Sequence, residues 1–191
     1  MRLFWALELP EPHRVAVMDV IERLRRADPR APVRWVRKEE LHLTLKFIGD
    51  ADEDGPMVAA VRHALAGVAP FELALGSGGS FGGARPRVLW LGVGGPGLPA
   101  LRELAETIEV ACLGAGFPRD EREFHAHVTL GRVQQGRGNL GPLRDALRRA
   151  ATPASLGPFP ARRAVLFESK LEQGRPPVYS HRAEVDLGGG A

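Results

Sequence analysis

Two short stretches of this chain carry the same residue types at the same spacing. Residues 42–45 read His-Leu-Thr-Leu and residues 127–130 read His-Val-Thr-Leu. In an extended strand, residues two apart share a face, which sets the Cα atoms of His42 and Thr44 roughly 6.5–7 Å apart on one side. His127 and Thr129 stand in the same relation. Imidazoles titrate near neutrality, so one ring can hold a proton while a second lacks one. Threonine hydroxyls can donate hydrogen bonds to the non-bridging oxygens of a phosphate, where charge gathers in the transition state. A base for water, an acid for the leaving oxygen and two donors for the anion are what phosphodiester hydrolysis requires without a metal. The chemistry depends on the two segments meeting.

The elements that must bring them together are legible in outline. In "LHLTLKF", Leu41, Leu43, Leu45 and Phe47 alternate with His42, Thr44 and Lys46. That pattern predicts one face packed on a core and the other carrying the polar set. Strands are expected at 2–9, 33–36, 41–48, 71–75, 87–93, about 123–131, 161–169 and 177–186. Helices are expected at about 12–27, 56–68, 98–113 and 141–150. Tight βαβ units with phosphate-cradling glycines are missing, which favours an α+β layout with antiparallel sheets. "GSGGSFGGARP" lacks the Gly-Lys-Ser/Thr ending of a P-loop and reads as a flexible hairpin connection framing a cleft. The motifs lie 85 residues apart, each preceded by helix and strand. One domain over 1–191, built of two related lobes, is the expectation, with 187–191 a disordered tail.

Bulk properties narrow the field. The net charge is +3, with 44% hydrophobic and 26% charged residues, so no global basic field announces nucleic acid. The cations are 23 Arg against 3 Lys, a bias that suits bidentate phosphate recognition but follows equally from genome composition. The single cysteine, Cys112, falls on the apolar face of a helical pattern and reads as a small buried hydrophobe. "MRLFWALELP" is broken too early for a signal peptide, and no stretch is long enough to span a bilayer. A soluble cytoplasmic monomer is expected.

The paired motifs and their flanks resemble the 2H phosphoesterase superfamily, and within it the RNA 2′,3′-cyclic phosphodiesterases, also named 2′-5′ RNA ligases. The likeness runs through "RLFWALELP", "RWVRKEELHLTLKFIGD", "GSFGGARPRVLWLGV", "FHAHVTLGRV" and "VLFESKLEQGRPPVYS". It implies a bilobal fold of two antiparallel β-sheets facing a central cleft, helices packed outside, one motif on each side. It further implies hydrolysis of a 2′,3′-cyclic phosphate at an RNA end to a 2′-phosphate. His42 would donate the proton to the leaving 3′-oxygen, and His127 would accept one from water. Thr44 and Thr129 would bind the phosphate, and reversal would join ends through 2′-5′ linkages. Arg132 matches an arginine the family carries near the phosphate. Strand parity turns it to the wrong face unless a bulge or turn at Gly131 intervenes. Ala126 departs from the family's frequent proline. The alternatives are a module that binds nucleotides or RNA ends without chemistry, and the same chemistry on small cyclic-phosphate nucleotides.

Other candidates receive blander readings. His125 with His127 makes a His-x-His pair, but no carboxylate or third histidine lies at familiar ligand spacing. No metal or cofactor is expected, and His125 reads as a cleft-edge residue. His13, His63 and His181 read as surface or helix-face residues. Trp35, Phe81 and Trp90 read as core packing in preference to base stacking. Arg149, Arg162 and Arg163 read as a solvated face.

Overall fold

A computed structural model describes residues 1–83, 85–134, 140–150, 156–170 and 177–188. The strands are β1 (Arg2–Glu8), β2 (Val33–Trp35), β3 (His42–Asp50), β4 (Phe71–Phe81), β5 (Val88–Gly94), β6 (His127–Val133), β7 (Phe159–Ala161), β8 (Arg163–Lys170) and β9 (Val178–Asp186). The helices are α1 (Glu11–Ala27), α2 (Gly55–Leu65), α3 (Leu98–Gly114) and α4 (Gly141–Arg148), and a 3₁₀ turn spans Lys38–Glu40. Each α-helix has proline at its first or second position, where the missing N–H costs no hydrogen bond. α1 buries Val17, Val20, Ile21 and Leu24, and α3 buries Leu101, Leu104, Ile108 and Cys112, each set at helical spacing.

The fold is α+β, and every strand pair is antiparallel. The order is β7-β4-β5-β6-β3-β1-β8-β9, with β2 also on β6. The two antiparallel sheets expected from the sequence are thus halves of one curled sheet, joined where β3 meets β6 at the single pair Leu43↔Val128. One face packs under the helices around Leu3, Trp5, Leu7, Leu43, Leu91, Val128 and Leu130. The opposite face carries a separate small cluster of Phe4, Ala6, Val165 and Phe167.

Strict alternation fails where the strands bulge. Ala6 stands opposite Thr44 but Trp5 opposite Lys46, so Leu45 is an extra residue and the faces exchange beyond it. Lys46 therefore turns into the helix-covered core and Phe47 onto the open face, the reverse of the expected pattern. Lys46 survives burial because its Nζ donates to Glu109 Oε1 at 2.7 Å and to the Pro118 carbonyl at 2.9 Å.

The glycine-rich stretch also differs from expectation. Residues 76–81 belong to β4, paired to β5, and only the tip after Phe81 is a turn. Two glycines there serve close approach. A Cβ on Gly79 would lie 2.2 Å from the Trp90 ring, and one on Gly78 would lie 2.4 Å from the Leu147 carbonyl oxygen. The second motif strand begins at His127 instead of 123, and β7 has no counterpart among the expected strands. Residues 189–191 of the expected tail lie outside the described residues, as do 135–139 between the second motif strand and α4. Among the described residues no helix is long and apolar enough to cross a membrane.

Candidate active site

The Leu43↔Val128 pair decides the geometry. Both side chains are fully buried on the helix side, so their neighbours His42, Thr44, His127 and Thr129 turn to the open face together. On adjacent antiparallel strands, diagonal positions are roughly 7–8 Å apart. A tetrahedral phosphate with hydrogen bonds on both sides spans such a gap.

A second bulge completes the set. Trp90 stands opposite Thr129 but Leu89 opposite Gly131, which makes Leu130 the extra residue. Leu130 and Gly131 are both buried, and Arg132 emerges on the face of His127 and Thr129. The parity obstacle is thereby removed. Gly131 is required at this bend: a Cβ would lie 2.7 Å from Val33 Cγ1. The Arg132 charge reaches both histidines, lowering each one's affinity for a proton.

Each imidazole is held by aromatic rings and by the chain two residues before it. Phe4 and Tyr179 approach the His42 ring at centroid distances of 4.8 and 5.3 Å, with Phe167 at 6.0 Å. Phe81 meets His127 edge-on at 4.9 Å. His127 Nδ1 donates to the His125 carbonyl at 2.6 Å, which leaves Nε2 free as an acceptor. The Glu40 backbone holds His42 in the corresponding way and favours its protonated form. Burial wins over that contact and pushes His42 down to about 4, with the charges of His127 and Arg132 adding to the effect. His127 is lowered for the same first reason, then by His125 and Arg132. His42 keeps some exposed surface despite this desolvation, as a ring at the floor of a groove does.

All five residues singled out from sequence thus share one face. Several companions were missed. Tyr179, the only tyrosine, is pushed up by burial and then by the Glu40 carboxylate. Phe4, Phe167 and Tyr179 surround His42 and gave no sequence signal beyond strand parity, which the bulges corrupt. Phe81 and Trp90 belong to this face beside His125 and His127, so their reading as core packing is corrected. Trp35 does pack against the main core. His125 is exposed at the groove edge. His13, read as a surface or helix-face residue, lies on the buried face of α1, 6% exposed against Phe159 and 4.8 Å from it between ring centroids. His181 is exposed but not isolated: it lies 3.3 Å from Glu8 Oε1 and 3.0 Å from Glu184 Oε1. His63 is exposed. Arg149 and Arg162 are exposed, and Arg163 pairs with Asp186 and Glu184. Cys112 is buried, its thiol pushed up to about 12.

The family model for the 2′-5′ RNA ligase superfamily matches residues 10–171. The chain belongs to that superfamily. A protein of Geobacillus stearothermophilus named RNA 2′,3′-cyclic phosphodiesterase is 37% identical over 156 residues, 80% of this chain and 47% of its own length. The chain therefore spans about half of that relative. A crystal structure from Thermus thermophilus is 28% identical with a TM-score of 0.72 and covers 99% of both chains. E. coli LigT, solved with 3′-AMP, is 25% identical with a TM-score of 0.72 over 97% of both chains. The superfamily member described here shares their fold over nearly its whole length.

Proposed function

We propose that this protein hydrolyses the 2′,3′-cyclic phosphodiester at RNA ends to a 2′-phosphomonoester, without a metal, by acid–base catalysis between His42 and His127. The observation that carries the reading is the Leu43↔Val128 pair, which turns both His-x-Thr motifs to one face. His127 Nε2, free because Nδ1 donates to the His125 carbonyl, takes a proton from water as that water attacks phosphorus. The P–O3′ bond breaks, and His42 gives the leaving oxygen its proton. Thr44, Thr129 and Arg132 bind the phosphoryl oxygens and stabilise the charge that accumulates there.

Burial lowers His42 to about 4, which favours its neutral form at pH 7. The substrate supplies what is lacking. A phosphodiester brings one negative charge beside both rings, which offsets Arg132 and raises the imidazoles, most strongly where water is most excluded. That the relatives are named cyclic phosphodiesterases, and that LigT was solved with 3′-AMP, supports a site sized for a terminal nucleotide. Small cyclic nucleotides fit the same chemistry, and reversal would give 2′-5′ ligation. We also read the chain as one domain of two related lobes acting as a cytoplasmic monomer. β1–α1–β3 and β5–α3–β6 each run from strand through a 17-residue helix to a motif strand.

The test is an RNA oligomer ending in a 2′,3′-cyclic phosphate, incubated with the protein in EDTA. A 2′-phosphate product is expected. His42→Ala and His127→Ala should each lower kcat by about 10²-fold or more with the fold intact by circular dichroism. Full activity in either variant refutes the two-histidine mechanism, and a 3′-phosphate product exchanges the leaving group.

A further inference from the structure

On β2, Arg34 stands directly opposite Arg132 of β6. Partners in register share a face, and the alternate residues Val33 and Trp35 pack against the main core. Two guanidiniums therefore lie side by side at the end of the open face. Like charges directly opposite are unfavourable in a sheet, so something must offset them.

Part of the offset is built in. Glu40 is 5% exposed, and its Oε1 lies 3.7 Å from Arg34 Nη1 and 3.5 Å from Arg37 Nη2. Its Oε2 accepts from the Arg37 backbone N–H at 2.8 Å. This one carboxylate faces two arginines, Arg34 and Arg37, and leaves a positive surplus. Its grip on Arg34 is loose as well. Among the described residues, Arg34 Nη1 and Glu40 Oε1 are both buried and neither has a hydrogen-bond partner. Glu40 aims the Arg34 fork without saturating it, and the Arg34 side chain keeps 33% of its surface exposed. The two arginines of the cross-strand pair also differ in place: Arg132 lies on the second motif strand, whereas Arg34 lies on β2, opposite Arg132 and on neither motif strand. Arg34 thus adjoins the reacting phosphate's position without sharing it.

We propose that Arg34 binds a second phosphate of the substrate, the one linking the terminal nucleotide to the rest of the RNA, and so favours a chain end over a free cyclic mononucleotide. This rests on the phosphodiesterase reading above. It gives the unbalanced arginine pair a partner: one anion on Arg132, the next along the chain on Arg34, with the planar fork suited to both.

Wild type and Arg34→Gln are compared on a 2′,3′-cyclic mononucleotide and on a dinucleotide with the same cyclic end. The ratio of kcat/KM for dinucleotide over mononucleotide should fall roughly tenfold in the variant, as loss of one charge-assisted contact requires. An unchanged ratio overturns the proposal, whether both rates fall together or neither falls. Calorimetry with a 3′-phosphorylated mononucleotide and dinucleotide reads the same ratio in affinity, independently of turnover. The salt slope for the dinucleotide should also become shallower by about 0.7. A wild type that hydrolyses neither substrate refutes the phosphodiesterase reading, while the affinity ratio still decides on Arg34. If Arg34→Gln melts early, Arg34→Lys carries the comparison: it keeps the charge but loses the fork, so a partial fall supports the proposal and an unchanged ratio overturns it.

Discussion

At the scale of single residues, the site is a contest between burial and charge. His42 and His127 are both drawn toward the neutral form by desolvation, and Arg132 pushes each further the same way. In the proposed mechanism the productive state holds one proton between the two rings, so its pH limits belong to the pair. Both limits lie below the ordinary 6.5 of histidine, since burial lowers both rings. kcat/KM, which reports the free protein, should therefore peak on the acid side of neutrality. Arg132→Gln removes a cation that depresses both rings and should move both limbs to higher pH while lowering the rate. A pH–rate profile on a cyclic mononucleotide checks this, and unmoved limbs would mean that Arg132 does not face the histidines.

At the scale of elements, two bulges do what alternation alone would not. In β6 the extra Leu130 rotates Arg132 onto the motif face, and in β3 the extra Leu45 rotates Lys46 away from it. Of these two positions, only Arg132 carries a visible warning in the sequence, the adjacent Gly131. Nothing in "TLKF" marks its bulge, because Leu, Lys and Phe all fit either face until the partner strand sets the register. β4 shows a related effect. Its glycines suggest a flexible loop, yet Gly79 lies under the Trp90 ring, which packs 5.4 Å from Phe81 and 5.0 Å from His125 between centroids. Gly79→Ala should tilt Trp90 toward His127 and cost about 1–3 kcal/mol by overpacking. Urea unfolding and the tryptophan emission spectrum measure both effects, and an unshifted spectrum at wild-type stability would contradict the contact.

At the scale of the whole molecule, one pair of residues joins the two halves of the sheet, and a buried clasp reinforces it from the helix side. Lys46, on the first motif strand, reaches Glu109 of α3 and the Pro118 carbonyl, and Glu109 Oε1 also accepts from the Asp120 backbone N–H at 3.0 Å. That ties β3 to the segment leading into His125 and His127. Outside, Arg122 sits 5.3 Å over the Phe47 ring. Lys46→Met would strand the Glu109 carboxylate and should destabilise by about 3–5 kcal/mol. Lys46→Met with Glu109→Leu should recover most of that loss in the same denaturant titration. A double variant no more stable than the single would show that the pair is not the source.

The sequence by itself determined the candidate reacting groups, the α+β class and the repetition of the His-x-Thr motif on two strands, because strand period and residue chemistry are local properties. It did not determine that β3 and β6 are neighbours in a single sheet, which faces the bulges exchange, or that Glu40, Arg34 and Tyr179 gather around the first motif. Those follow from register and from charges meeting across strands far apart in the chain. Register is fixed only when the whole apolar face closes against the helices.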